Sequence, residues 1–197
     1  MGKVIAGIDY GSKTSGFTCA AILVGNKVHL HQAEKNKDAD KWLISLFETY
    51  KCNVIGIDAP LSIPGALRGL DGFSNYHYRV ADIEAKAMSP MFLGGLTARA
   101  IELSSWLKHK MSSEPIEVYP KLVAEGLDLD MKRYKKDHSY LEKATAIIFE
   151  RVDWIVDHLE IYNWHQFDAL LALMSTEKFT RNTCSSIGDK AEGLIYF

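Results

Sequence analysis

Short apolar runs broken by polar turns dominate the first part of the chain. Val4 to Asp9 reads as a buried strand closed by the turn Asp9-Tyr10-Gly11-Ser12. A second run, Phe17 to Val24, meets Gly25-Asn26 and then Lys27 to His31, and alternation around a two-residue polar turn predicts a hairpin. Asp38 is placed to cap a helix whose apolar positions Trp42, Leu43, Leu46, Phe47 and Tyr50 recur at helical spacing. Val54 to Asp58 is a short strand stopped by Pro60, which has no donor for a ladder. Residues 60–95 are glycine-rich and punctuated by Pro60, Pro64 and Pro90. That length is too great for an ordinary connection and predicts a loop-rich insertion, either a lid or a partly helical decoration. Thr97 opens an amphipathic helix through Ile101, Leu103, Trp106 and Leu107, and Ile116 to Tyr119 is a strand closed by Pro120. Ser139 and Glu142 resemble a capping box ahead of one apolar stripe, Leu141, Ala144, Ile148, Val152, Ile155 and Leu159. Asn163 and Gln166 predict a last helix carrying the apolar run Ala169 to Met174.

A meander of three strands, followed by two strands reached through helices, predicts an α/β fold with a five-stranded mixed sheet and helices on both faces. This is the RNase H-like arrangement. The 197 residues, 47% of them apolar, suit one domain spanning 1–197 with a continuous core. A formal charge of −2 argues against a protein that coats nucleic acid through bulk positive charge, though a local basic groove is compatible with it. The cysteines, Cys19, Cys52 and Cys184, are few, scattered and odd in number, which suits a reducing cytosol and provides no metal-ligand spacing. Without a basic-then-apolar leader or an apolar run of ~20 residues, a cytoplasmic location is expected.

Four carboxylates interrupt apolar elements. Asp9 ends the first strand, Asp58 ends the fourth, Glu117 sits between Ile116 and Val118, and Asp168 lies among Phe167, Ala169, Leu170 and Leu171. If the first and fourth strands are parallel neighbours, Asp9 and Asp58 emerge at the carboxyl edge where such sheets bind ligands. Two carboxylates ~4 Å apart repel by about 4 kcal/mol at an effective dielectric near 20. A proton, a basic neighbour or a divalent cation must offset that. Rigidly held oxygen ligands favour Mg²⁺ or Mn²⁺, and two such ions can clamp an in-line phosphodiester hydrolysis of nucleic acid. Each residue also has a plainer role open to it. Asp9 would cap its turn, Asp58 would accept loop donors, Glu117 would pair with an arginine such as Arg99, and Asp168 would favour a helix start.

The strings GIDYGSKTSG (7–16), IGIDAPLSIP (55–64), YRVADIEA (78–85), LTARAIEL (96–103), IEVYP (116–120), FDALLAL (167–173) and EGLIYF (192–197) resemble the domain-of-unknown-function 429 family. Members of that family are regarded as predicted nucleases of RNase H-like fold, distantly similar to Holliday-junction resolvases. The resemblance implies a nuclease-like site on Asp9, Asp58, Glu117 and Asp168. It matches the family's Arg-x-x-Asp element to Arg79 and Asp82, which either join the site or brace the insertion.

Candidate substrate contacts are Arg79, Asp82, Arg99, Lys132 and Arg133, the last two in a basic patch with Lys135 and Lys136 around Tyr134. Arg68, Tyr76, His77, Tyr78 and Arg79 mix charge with stacking groups as single-strand binders do. His165, three residues before Asp168, is placed to tune that carboxylate or assist proton transfer, whereas His29 and His31 share a strand face without further ligands nearby. Two other classes stay open. The GIDYG turn is similar to the first phosphate loop of actin-like ATPases, although the chain shows no second glycine-dense loop, and a non-catalytic binding protein would use the same fold.

Overall fold

The computed structural model describes residues 3–156 and 158–197. The chain forms β1 (Ile5–Asp9), β2 (Cys19–Val24), β3 (Lys27–Gln32), α1 (Ala39–Tyr50), β4 (Val54–Asp58), α2 (Val80–Ala85), α3 (Pro90–Leu93), α4 (Gly95–Lys110), β5 (Glu114–Val118), α5 (Pro120–Gly126), α6 (Leu141–Phe149), α7 (Trp164–Thr180), β6 (Ser186–Asp189) and β7 (Gly193–Tyr196). These strands make one mixed sheet in the order β3-β2-β1-β4-β5-β7-β6. β1, β2 and β3 form the antiparallel meander, while β4 and β5 extend it in parallel from β1. The first five strands therefore stand as the hydrophobic pattern predicted.

The strand count does not. Among the described residues the sheet has seven strands, because β6 and β7 form an antiparallel hairpin and β7 continues the sheet in parallel beside β5. Each is four residues long and mostly half-exposed, with Gly188 and Gly193 at φ of 102° and 138°, so no alternating apolar run announces them. The second difference lies after α6, which ends at Phe149 instead of carrying its stripe to Leu159. There the β-branched Val152, Ile155 and Val156 favour extended backbone, and Ile155 bridges to Lys27 with its amide donating to Asn26 at 2.6 Å. The start of that helix is also set differently. Asp137, not Ser139, accepts the Ser139 amide at 2.9 Å and caps a 3-10 turn at His138–Tyr140 that leads into α6.

A core lies on each face of the sheet. α1 and α4 cover Ile8, Ile22, Ile55 and Ile57 with Leu43, Phe47, Leu103 and Leu107. α1 begins where Asp38 accepts the Asp40 and Lys41 amides, which satisfies donors its first turn would leave open. The opposite face belongs to α7, buried without a break from Phe167 to Thr176 and enclosed by α5, α6 and the following segment. A helix apolar all round is an interior helix.

Two glycines let α7 come this close. Gly7 and Gly56 face each other across β1 and β4. A Cβ on Gly7 would collide with the Leu173 backbone, and one on Gly56 with Thr176 Oγ1. The Thr176 hydroxyl then donates to the Ala6 carbonyl at 3.1 Å, tying the helix to the sheet. Each glycine stands two residues before an aspartate, so Asp9 and Asp58 project from the same face that α7 crosses.

Region 60–95 is a chain of short pieces: a 3-10 turn at Gly65–Arg68, then α2 and α3 with loops between. α2 packs beside β6 and β7. Among the described residues no helix is long and apolar enough to cross a membrane.

Candidate active site

Parallel register places Asp9 opposite Asp58 at the carboxyl ends of β1 and β4. α7 crosses above them and delivers Asp168, and each of the three offers an oxygen within 4.8 Å of the others. Asp168 is fully buried, Asp9 is 8% exposed and Asp58 is partly buried. At 4.8 Å and an effective dielectric near 20, each ionised pair repels by about 3.5 kcal/mol.

The surroundings offset only part of this. His165 Nδ1 lies 2.7 Å from Asp9 Oδ2, and that hydrogen bond raises the imidazole's proton affinity against the opposing effect of burial. The Tyr134 hydroxyl donates to Asp168 Oδ1 at 2.5 Å, and the Lys135 ammonium pairs with the other oxygen. Burial alone would lower the Lys135 ammonium, but Asp168 and Asp58 hold it above its ordinary value. The Asp58 carboxylate has no hydrogen-bond or ion-pair partner among the described residues. Desolvation, then repulsion from Asp9, raises it well above the usual carboxylate range. Desolvation also pushes Asp168 up to about 6 despite Lys135. One ammonium and one imidazole thus face three carboxylates, one without a partner. Such a set of hard oxygen donors fits a divalent cation of the Mg²⁺ or Mn²⁺ kind.

Glu117 stands apart from this cluster. β5 turns Ile116 and Val118 toward Ala172 of α7, so period-two alternation sends Glu117 to the other face. There Arg79 grips it with two bonds of 2.7 and 2.6 Å, and the Leu61 amide donates to it at 2.8 Å. Burial raises the Glu117 carboxyl, and the guanidinium partly restores it. The arginine anticipated as its partner was Arg99, but the structure supplies Arg79, from the insertion. Arg79 is fully buried and also binds Asp82 and the Ser62 hydroxyl. Arg79 and Asp82 therefore clamp the insertion to β5, with no free donor for a substrate.

The remaining candidates lie elsewhere. Arg99 pairs with Asp40 at 2.7 Å, reaches the Gly11 carbonyl at 3.2 Å and lies over the Tyr10 ring, which braces the turn after Asp9. Arg133 pairs with Asp137 at 2.7 Å and covers Tyr140, while Lys132 is exposed. Within that basic run, Lys135 is the member that reaches the carboxylates, and Tyr134 is buried behind it. Phe17 was unanticipated: half exposed, it stacks on His165 at 4.7 Å and 12°.

Two cavities meet at Asp9. One, of about 240 Å³, runs from Asp9 and Asp58 beneath the insertion to Met88, Leu93, Leu96 and Tyr119. The other, of about 400 Å³, is lined by Lys135, His138, Asn163, Trp164 and His165.

No family model matches the chain, and no curated protein matches it. Among solved structures, T. thermophilus RuvC in complex with a Holliday junction substrate aligns with a TM-score of 0.49 at 10% identity, over 95% of this chain and 99% of that one. A Thermus thermophilus RuvC structure aligns with a TM-score of 0.48 at 11% identity, over 94% and 98% of the two chains.

Proposed function

We propose that this chain is a single-domain, divalent-cation-dependent nuclease of RNase H-like fold, hydrolysing phosphodiester bonds in nucleic acid. The observation that carries the reading is the convergence of Asp9, Asp58 and Asp168 at one end of the sheet, with the Asp58 carboxylate lacking a side-chain partner among the described residues. The meander followed by parallel β4 and β5 is the core arrangement of that fold, and the motif resemblance to the domain-of-unknown-function 429 family points the same way. The free cysteines fit a reducing, cytoplasmic setting.

In this reading Asp9, Asp58 and Asp168 hold Mg²⁺ or Mn²⁺. A bound cation of this kind supplies an activated water and neutralises charge on the phosphoryl oxygens. Lys135 favours the ionised, ligating form of Asp168, and Tyr134 fixes its orientation by hydrogen bonding to the oxygen that Lys135 leaves. His165 orients Asp9 from the solvent side. Glu117 serves indirectly, anchoring the segment after Asp58 through Arg79 and the Leu61 amide. With Glu117 engaged, a second cation would draw partly on substrate oxygens.

The test is cleavage of labelled single-stranded, duplex and branched DNA and of RNA, with Mg²⁺, with Mn²⁺ and with EDTA, by the parent and Asp58→Asn. Metal-dependent products from the parent, lost in the variant, are expected. Products that persist in Asp58→Asn, or no cleavage of any of these substrates, would contradict the reading.

A further inference from the structure

The cavity that opens from Asp9 and Asp58 is divided in character. Asp9 and Asp58 contribute carboxylates to its lining, and Met88, Leu93, Leu96 and Tyr119 form much of the rest. Its other charged members are already satisfied, since Arg79 holds Glu117 and Asp82 at 2.6 to 2.7 Å. What enters beyond the carboxylates therefore meets apolar walls and no charge awaiting a partner. At about 240 Å³ the space falls below the roughly 300–1,000 Å³ of pockets that enclose drug-sized ligands. It suits one flat heterocycle and excludes a stacked base pair. On the far side of Asp9, Lys135, His138 and His165 line the second cavity, a setting complementary to phosphates. A strand laid across the carboxylates thus finds an apolar recess on one side and basic groups on the other.

We propose that the apolar cavity receives a single unstacked nucleobase of the strand being cut, so that the substrate is single-stranded or locally unpaired nucleic acid rather than regular duplex. This deepens, and rests on, the nuclease reading. Taking a base out of a paired stack costs a few kcal/mol, a cost that single strands and bulges largely escape. Walls that are apolar apart from the Tyr119 hydroxyl hold a base chiefly by its faces and shape, so sequence preference is weak. The insertion supplies Met88 and Leu93 to the recess, which gives that segment a role in substrate selection.

The experiment is fluorescence anisotropy of labelled oligonucleotides in Ca²⁺: a single strand, its perfect duplex, the duplex with one bulged nucleotide, and the single strand with abasic sites. DNA and RNA versions are run in parallel. The single strand and the bulged duplex should bind at least about tenfold more tightly than the perfect duplex, and abasic sites should remove most of that advantage. Leu96→Trp, which fills the recess, should weaken single-strand binding toward the duplex level and leave the Mn²⁺-induced rise in melting temperature unchanged. Ala87→Phe fills the same space from another segment and carries the test should Leu96→Trp fail to fold. Equal binding of single strand and duplex, or full single-strand affinity in both filled variants, would overturn the recess. Metal-dependent cleavage by the parent would then leave the nuclease reading standing. A parent with neither oligonucleotide binding nor a Mn²⁺ response would overturn both.

Discussion

Replacing Arg79 with methionine probes how the insertion is joined to the sheet. The guanidinium is wholly buried and bonds two carboxylates, Glu117 on β5 and Asp82 on α2, with contacts of 2.6 to 2.7 Å. Removing one member of a buried ion pair costs about 3–5 kcal/mol, because the partner is left ionised in a poorly solvated place. Here two partners are stranded, so the loss at pH 8 should reach at least ~3–5 kcal/mol, a large share of the roughly 5–15 kcal/mol that stabilises a domain. The loss should depend on pH with a definite sign. Burial already raises the folded Glu117 carboxyl above its ordinary value, and without Arg79 it rises further. An acid with a raised folded pKa contributes most stability below its unfolded pKa and loses it as pH climbs through the folded one. The deficit of Arg79→Met should therefore be smaller at pH 5 than at pH 8. Adding Glu117→Gln and Asp82→Asn to the variant should recover much of the stability at pH 8, since no buried charge is then left alone. Urea unfolding followed by circular dichroism at both pH values measures all of this. A loss under about 1 kcal/mol, or an equal deficit at pH 5 and 8, would refute the buried-charge argument.

Gly7→Ala should cost more than the ~1–3 kcal/mol of ordinary overpacking, because the new methyl meets α7 backbone that no rotamer change can move. Gly126→Ala, where a Cβ meets open space, should stay within about 1 kcal/mol of the parent, and thermal melts compare the two. In EDTA the parent's melting temperature should fall as pH rises from 4 through 6 to 7.5, since burial raises both Asp58 and Asp168, the latter to about 6. Saturating Mn²⁺ should remove that fall, and a pH profile unaltered by Mn²⁺ would count against cation binding at these carboxylates.

Their places at the ends of two apolar strands made Asp9 and Asp58 legible as opposed carboxylates, and the structure adds that Gly7 and Gly56, two residues earlier, admit the helix beside which they project. Asp168 was legible as a charge inside an apolar helix, and the Gly25-Asn26 hairpin and the Asp38 cap stand where local chemistry put them. Glu117 shows what a residue type alone conceals. Its neighbours Ile116 and Val118 already marked the opposite face, but its partner Arg79 lies 38 residues away, and only tertiary packing joins them. Lys135 was hidden among like charges, with nothing local to separate it from Lys132, Arg133 and Lys136. β6 and β7 are too short for periodicity to mark, and the end of α6 was set by pairing of Ile155 with β3 rather than by any breaker in the sequence.

Cation binding at the three aspartates is measured most directly by isothermal titration of Mn²⁺ into the EDTA-stripped protein and into Asp58→Asn. Asp58 is the informative position, because Asp9 and Asp168 each hold a side-chain partner that an asparagine would disturb, His165 in one case and Tyr134 with Lys135 in the other. The variant should be at least as stable as the parent without metal, since it removes repulsion and breaks no bond. The account predicts saturable Mn²⁺ binding by the parent, weakened at least about tenfold in Asp58→Asn, a loss of roughly 1.4 kcal/mol or more. Equal Mn²⁺ affinity in the two proteins, or none in the parent, would contradict it.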